Sequence, residues 1–133
     1  MDIKEYTNDA VALLKELIAI PSISRDERKA ADRLSQYLDM WNLPHGREGN
    51  NLWVGCPDWD NNRPTVMLNA HIDTVKPVSS WTRDPFTATQ EGDTIYGLGS
   101  NDCGGGLVAL LQSYRIMLHR QRNYNLLWVA SAD

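Results

Sequence analysis

Thr65-Val66-Met67-Leu68-Asn69-Ala70-His71-Ile72-Asp73-Thr74-Val75 reads as an apolar strand that gives way to a loop at His71 and Asp73. A second stretch, Gly97-Leu98-Gly99-Ser100-Asn101-Asp102-Cys103-Gly104-Gly105-Gly106, leaves another predicted strand and opens a helix. The nearly continuous apolar run from Thr65 to Ala70 fits a central strand covered on both faces. In open α/β sheets, ligands bind just outside the carboxyl ends of strands. His and Asp at that place suit zinc, because imidazole nitrogen and carboxylate oxygen both bind Zn²⁺ well. If the backbone stays extended through Asp73, His71 and Asp73 share a side and Ile72 points into the core.

Outward from these two stretches the elements follow from periodicity. Ala10, Leu13, Leu14, Leu17 and Ile18 recur at helical spacing, and Pro21 ends that helix. Ser24 with Glu27 reads as a capping box for a second helix, which carries Ala30, Ala31, Leu34, Leu38 and Trp41 on one face. Leu52 to Cys56 is a predicted strand. The Asp- and Asn-rich turn from Pro57 to Pro64 suggests a hairpin into the strand at Thr65. Thr87 to Thr89 and Thr94 to Tyr96 flank Glu91-Gly92-Asp93 as a second hairpin. Leu107, Leu110, Leu111, Tyr114, Met117 and Leu118 mark a third helix, and Tyr124 to Ala130 a last strand with an unpaired edge.

The chain has 133 residues, enough for one domain with a real core, and no internal repeat. Net charge is −4, with no basic patch, so nucleic acid and anionic membrane are not expected partners. Its apolar runs are too short to span a bilayer, and Met1-Asp2-Ile3-Lys4-Glu5 has no signal-peptide core. Two cysteines, Cys56 and Cys103, make no disulfide framework. A reducing, cytoplasmic location is the expectation.

Each candidate residue has a plainer reading. His71 would close a strand while Asp73 caps a turn. The functional reading puts a metal on one ring nitrogen of His71 and has Asp73 orient the ring through the other. Asp102 would be a helix N-cap after a glycine-rich turn, or else a carboxylate bridging two metals about 3.5–4 Å apart. Gly97-x-Gly99 lacks the rest of a phosphate-binding fingerprint. Cys103 reads as a small side chain packing under the site rather than a ligand. His45 and His119 have no partner pattern, and Trp81 to Phe86 reads as a substrate contact or, slightly favoured, as a loop pinned by aromatic packing.

At these residues the chain resembles the metallopeptidase M20 family. Residues 69–75 resemble its first metal motif and Tyr96 to Gly105 its second. The resemblance covers essentially the whole chain, and Trp81 to Phe86 with Tyr96-Gly97-Leu98-Gly99 is most similar to the acetylornithine deacetylases within it. It implies a three-layer α/β domain of the zinc-exopeptidase type, with a mixed, largely parallel sheet flanked by helices, incomplete at the C-terminal side. It also implies two zinc ions, replaceable by cobalt, with His71 on one, Asp102 bridging both, and Asp73 orienting the histidine. A cis peptide is expected just after Asp102. Cys103-Gly104-Gly105 stands where the family often has a Lys-Gly pair after the residue next to the bridging Asp.

The implied reaction removes an N-acyl group from a small amino acid, as in arginine biosynthesis. A dipeptidase, a succinyl-diaminopimelate desuccinylase and a non-catalytic binding module on the same fold are the alternatives. In the family two glutamates, a general base and a metal ligand, follow the strand that here ends at Asp133. A further acidic ligand, a His ligand and a lid or dimerisation domain come later. Residues 1–133 are therefore expected to be the N-terminal portion of the catalytic domain, inactive alone and part of a homodimer when intact.

Overall fold

The computed structural model describes residues 1–133. Helix α1, Ile3–Ala19, starts at a capping box that the sequence reading missed. Asp2 accepts from the Glu5 amide at 2.9 Å, and the Glu5 carboxylate accepts from the Asp2 amide at 2.8 Å. Tyr6, Leu13, Leu14 and Ile18 form its buried stripe. Helix α2, Arg28–Met40, buries Ala30, Ala31, Leu34, Tyr37 and Leu38. The capping box expected from Ser24 and Glu27 does not form. Arg25 takes a left-handed φ of 71°, Glu27 itself occupies the cap position without capping, and the Ser24 hydroxyl goes to Asp73.

Six short strands follow: β1 (Gly46–Glu48), β2 (Asn51–Gly55), β3 (Thr65–His71), β4 (Thr89–Glu91), β5 (Thr94–Tyr96) and β6 (Asn125–Ser131). Helix α3, Gly105–Met117, lies between β5 and β6. β4 and β5 make a separate hairpin. The main sheet runs in the order β1-β2-β6-β3. β2 pairs antiparallel with β1 and with β6, and β3 pairs parallel with β6.

Three expectations change here. β2 and β3 form no hairpin, because β6 lies between them. Residues 57–64 instead cross over the start of β6, where the buried Asn125 side chain accepts from the Asp60 amide at 2.9 Å and donates to the Asp60 carbonyl at 2.8 Å. β3 is not a covered central strand: β6 takes the interior, with Leu126, Trp128 and Ala130 fully buried, and Met67 of β3 is 57% exposed. The unpaired edge accordingly belongs to β3, while β6 is bonded on both sides.

The covered face of the sheet carries Leu52, Val54, Leu126, Trp128 and Ala130, all fully buried or nearly so. These residues join the buried stripes of all three helices in one core. On the other face Trp53 and Met67 stand exposed. The fold is a mixed α/β sheet with flanking helices. This is the expected class of mixed sheet flanked by helices, and one of the three strand pairings in these residues is parallel. No helix is long and apolar enough to cross a membrane.

The two faces should respond differently to substitution. Leu111→Ala, inside the core, should cost about 2–5 kcal/mol in urea unfolding. Met67→Ser, on the open face, should stay within about 0.5 kcal/mol of the parent. An equal loss from both would mean that the outer face is covered.

Candidate metal centre

His71 is the last residue of β3 and pairs with Ser131 of β6. The ladder ends one step later, with the Ile72 amide donating to the Ser131 carbonyl at 2.8 Å. Ile72 is buried, as alternation requires, so His71 points out at the strand end. Its Nδ1 lies 2.8 Å from the Asp73 carbonyl oxygen, with the Asp73 carboxylate at 3.5 Å. A carbonyl only accepts, so Nδ1 carries a proton.

Asp102 arrives from the other side. A wide turn, Ser100–Gly104, precedes α3, and within it Asp102 and Cys103 leave helical backbone angles. The Asp102–Cys103 peptide bond is cis, as the resemblance implied. Gly99 sits at φ 78°, and Gly104 donates to its carbonyl at 2.7 Å. A side chain at Gly104 would meet that carbonyl oxygen at 2.8 Å, so the turn closes only with glycine there. The result places Asp102 Oδ1 3.0 Å from His71 Nε2.

Cys103 fixes the same junction. Its Sγ accepts from the His71 amide and donates to the His71 carbonyl, both at 3.3 Å. Burial pushes the thiol above its ordinary pKa, and the Asp102 and Asp73 charges push the same way, against the His71 amide. It is a protonated tether on the edge of β3, half-buried rather than packed fully beneath the site.

Two participants escaped the sequence reading. Ser24 donates to Asp73 Oδ2 at 2.9 Å. Glu27 is fully buried; its Oε1 accepts from the Arg25 amide at 3.1 Å and the Asp133 amide at 3.0 Å, while Oε2 has no partner. A buried unpaired oxygen of this kind costs about 1–3 kcal/mol. A pattern typical of a helix start concealed both.

The other candidates stay outside. His45 bonds to Ser35 and the Leu43 carbonyl, and His119 lies exposed at the end of α3. The loop from Trp81 to Phe86 is pinned: Arg83 stacks 3.9 Å over Tyr96 and pairs with Glu91 at 2.9 Å. Trp81 lines an open groove of about 500 Å³ with Tyr96, Gly97, Ser100 and Asn101.

Comparison with known proteins now decides the family. Residues 67–133, half of the chain, match the profile of Peptidase family M20/M25/M40. The chain belongs to the M20 family. It is 30% identical over 120 residues to a succinyl-diaminopimelate desuccinylase of Blochmanniella floridana, covering 85% of this chain and 31% of that protein. It is 30% identical over 138 residues to an acetylornithine deacetylase of Edwardsiella ictaluri, covering 92% and 35%. An M20 family metallo-carboxypeptidase from Sulfolobus solfataricus superposes with a TM-score of 0.76 at 25% identity, covering 99% of this chain and 31% of that one. The chain spans about a third of the length of the curated relatives it matches.

The donor set of this M20 chain can be tested against a metal. Zinc bonds of about 2.0–2.1 Å at a tetrahedral angle set neighbouring ligand atoms about 3.3 Å apart. The 3.0 Å between His71 Nε2 and Asp102 Oδ1 needs little widening to match. An imidazole and a carboxylate are also the right chemistry. No third His, Cys, Asp or Glu side chain converges with them. The chemistry and spacing of the pair thus fit zinc, to which it would offer two protein ligands.

Without metal, both ring nitrogens of His71 face acceptors. Burial pulls its pKa down, but the Asp73 carbonyl and the Asp102 carboxylate outweigh this and raise it above the usual 6.5. A raised folded value stabilises the fold below the unfolded pKa, and that gain is lost as pH rises through the folded value. In metal-free NMR titrations the His71 ring should therefore titrate above 6.5, and Asp102→Asn should lower its midpoint. A midpoint at or below 6.5 in the parent would contradict the assigned contacts.

Proposed function

We propose that residues 1–133 form the N-terminal portion of the catalytic domain of a zinc-dependent amidohydrolase that removes an N-acyl group from a small amino acid. The observation that carries this is the meeting of His71 Nε2 and Asp102 Oδ1 beside the carboxyl end of a parallel strand in an M20 chain. His71 would offer Nε2 to the ion. Asp73, through its carbonyl on Nδ1 and its nearby carboxylate, would hold the ring's tautomer and orientation, which raises ligand basicity. Asp102, whose side chain is 80% exposed, keeps a second oxygen free for a second ion. Zinc, when bound, would supply Lewis acidity toward the amide carbonyl. The general base and the remaining ligands would come from outside these residues, and the intact protein would work as a cytoplasmic homodimer.

An acetylornithine deacetylase-like substrate is the leading choice. The equal identity to a desuccinylase supports N-succinyl-diaminopimelate as the second. The test compares the 133-residue chain with the product of the complete gene, both with zinc, on Nα-acetylornithine, N-succinyl-LL-diaminopimelate and a dipeptide. The 133 residues alone should not exceed free zinc, because catalytic zinc takes three protein ligands. The complete product should release acetate fastest. Preferred release of succinate would move the reading to the desuccinylase, and no hydrolysis at all to a binding module. Rapid turnover by the 133 residues alone would overturn the proposed division of the site.

A further inference from the structure

The sheet stops holding the chain just where the metal pair begins. Beyond the bond from Ile72 to Ser131, no ladder fixes Asp73 or Asp133. One short segment, residues 22–27, reaches both. Its backbone runs beside residue 74: Thr74 donates to the Ser22 carbonyl at 2.8 Å, and Ser24 donates to the Thr74 carbonyl at 3.2 Å. The Ser24 hydroxyl then takes Asp73 Oδ2 at 2.9 Å, leaving Oδ1 toward His71. After the reversal at Arg25, the buried Glu27 carboxyl takes the Asp133 amide at 3.0 Å, while Asn51 takes the Ala132 amide at 2.8 Å.

A helix cap would use Ser24 or Glu27 on the first amides of α2. Neither does so. Both of Glu27's donors lie outside the helix, one of them 106 residues away in sequence. Glu27 is buried at the start of α2 and Ser24 lies three residues before it, so one short segment ties both strand ends. Sites of this kind need their groups held within about 0.5 Å.

We infer that Ser24 and Glu27 are positioning residues: Ser24 sets the Asp73 carboxylate against His71, and Glu27 sets the backbone at Asp133 beside that pair. The consequence for metal binding rests on the hydrolase reading above; the placement itself does not.

The test uses the metal-free chain first. Amide exchange at Asp133 should rise at least tenfold in Glu27→Ala and in Glu27→Asp, which withdraws the carboxylate by one methylene. It should return to the parent rate in Glu27→Gln, whose amide oxygen replaces Oε1. The Trp128 amide reports whether the sheet remains intact, and Glu27→Asp decides the matter if Glu27→Ala loses that protection. The Asp73 carboxylate ¹³C resonance should move in Ser24→Ala and return in Ser24→Thr. Zinc affinity should fall in Ser24→Ala by less than the tenfold or more that follows loss of a group directly behind a metal ligand, because Ser24 acts through Asp73. Unchanged Asp133 exchange in Glu27→Asp, or an unmoved Asp73 resonance in Ser24→Ala, would overturn the inference. Because the remaining ligands lie outside these residues, hydrolysis by the complete gene product tests the hydrolase reading, while the exchange and ¹³C results decide the placement.

Discussion

The parallel pairing of β3 with β6 is the constraint on which everything else depends. Parallel neighbours cannot be joined by a tight turn, so the chain must cross a face of the sheet, and it does so with α3. That crossing inserts β6 between β2 and β3. It also brings the start of α3 to the carboxyl end of β3. The glycine turn at 99–104 then has only to aim one carboxylate at one imidazole. A one-residue slip of β3 would turn His71 inward and Ile72 outward, which the burial of Ile72 opposes.

The energy that holds this arrangement lies elsewhere. Fully buried Leu13, Leu34, Leu38, Leu111, Leu126 and Trp128 bind the three helices to one face of the sheet. The pair of His71 and Asp102 stands on the rim, with the carboxylate mostly in solvent. Ion pairs so exposed contribute only about 0–1 kcal/mol. Their closeness is imposed by the scaffold and by polar ties: Cys103 on the His71 backbone, Ser24 on Asp73, and Glu27 on Asp133. Donors facing each other without contributing much to stability are what a binding site requires.

Much of this was legible because its signals are local. Helical periodicity located all three helices to within a few residues. The paired His71-x-Asp73 and glycine-flanked Asp102 stretches pointed to the family, and the structure brings His71 and Asp102 together. What failed was non-local. Val66, Met67 and Leu68 read as a covered strand, because an apolar run does not say which strand will take the interior; β6, some sixty residues later, takes it. The turn at 57–64 looked like a hairpin because its composition suits one, and only Asn125 shows that it wraps a strand end. Ser24 and Glu27 carry the spacing of a capping box, so a local rule explained them before their distant partners could.

The most direct measurement follows both ring nitrogens of His71 by long-range ¹H–¹⁵N NMR while zinc is added to the chain. Nε2 should shift saturably while Nδ1 keeps its proton toward the Asp73 carbonyl, and Asp102→Asn should weaken the response. Zinc that moves neither nitrogen, or that binds through Nδ1, would contradict the proposed roles of His71 and Asp102.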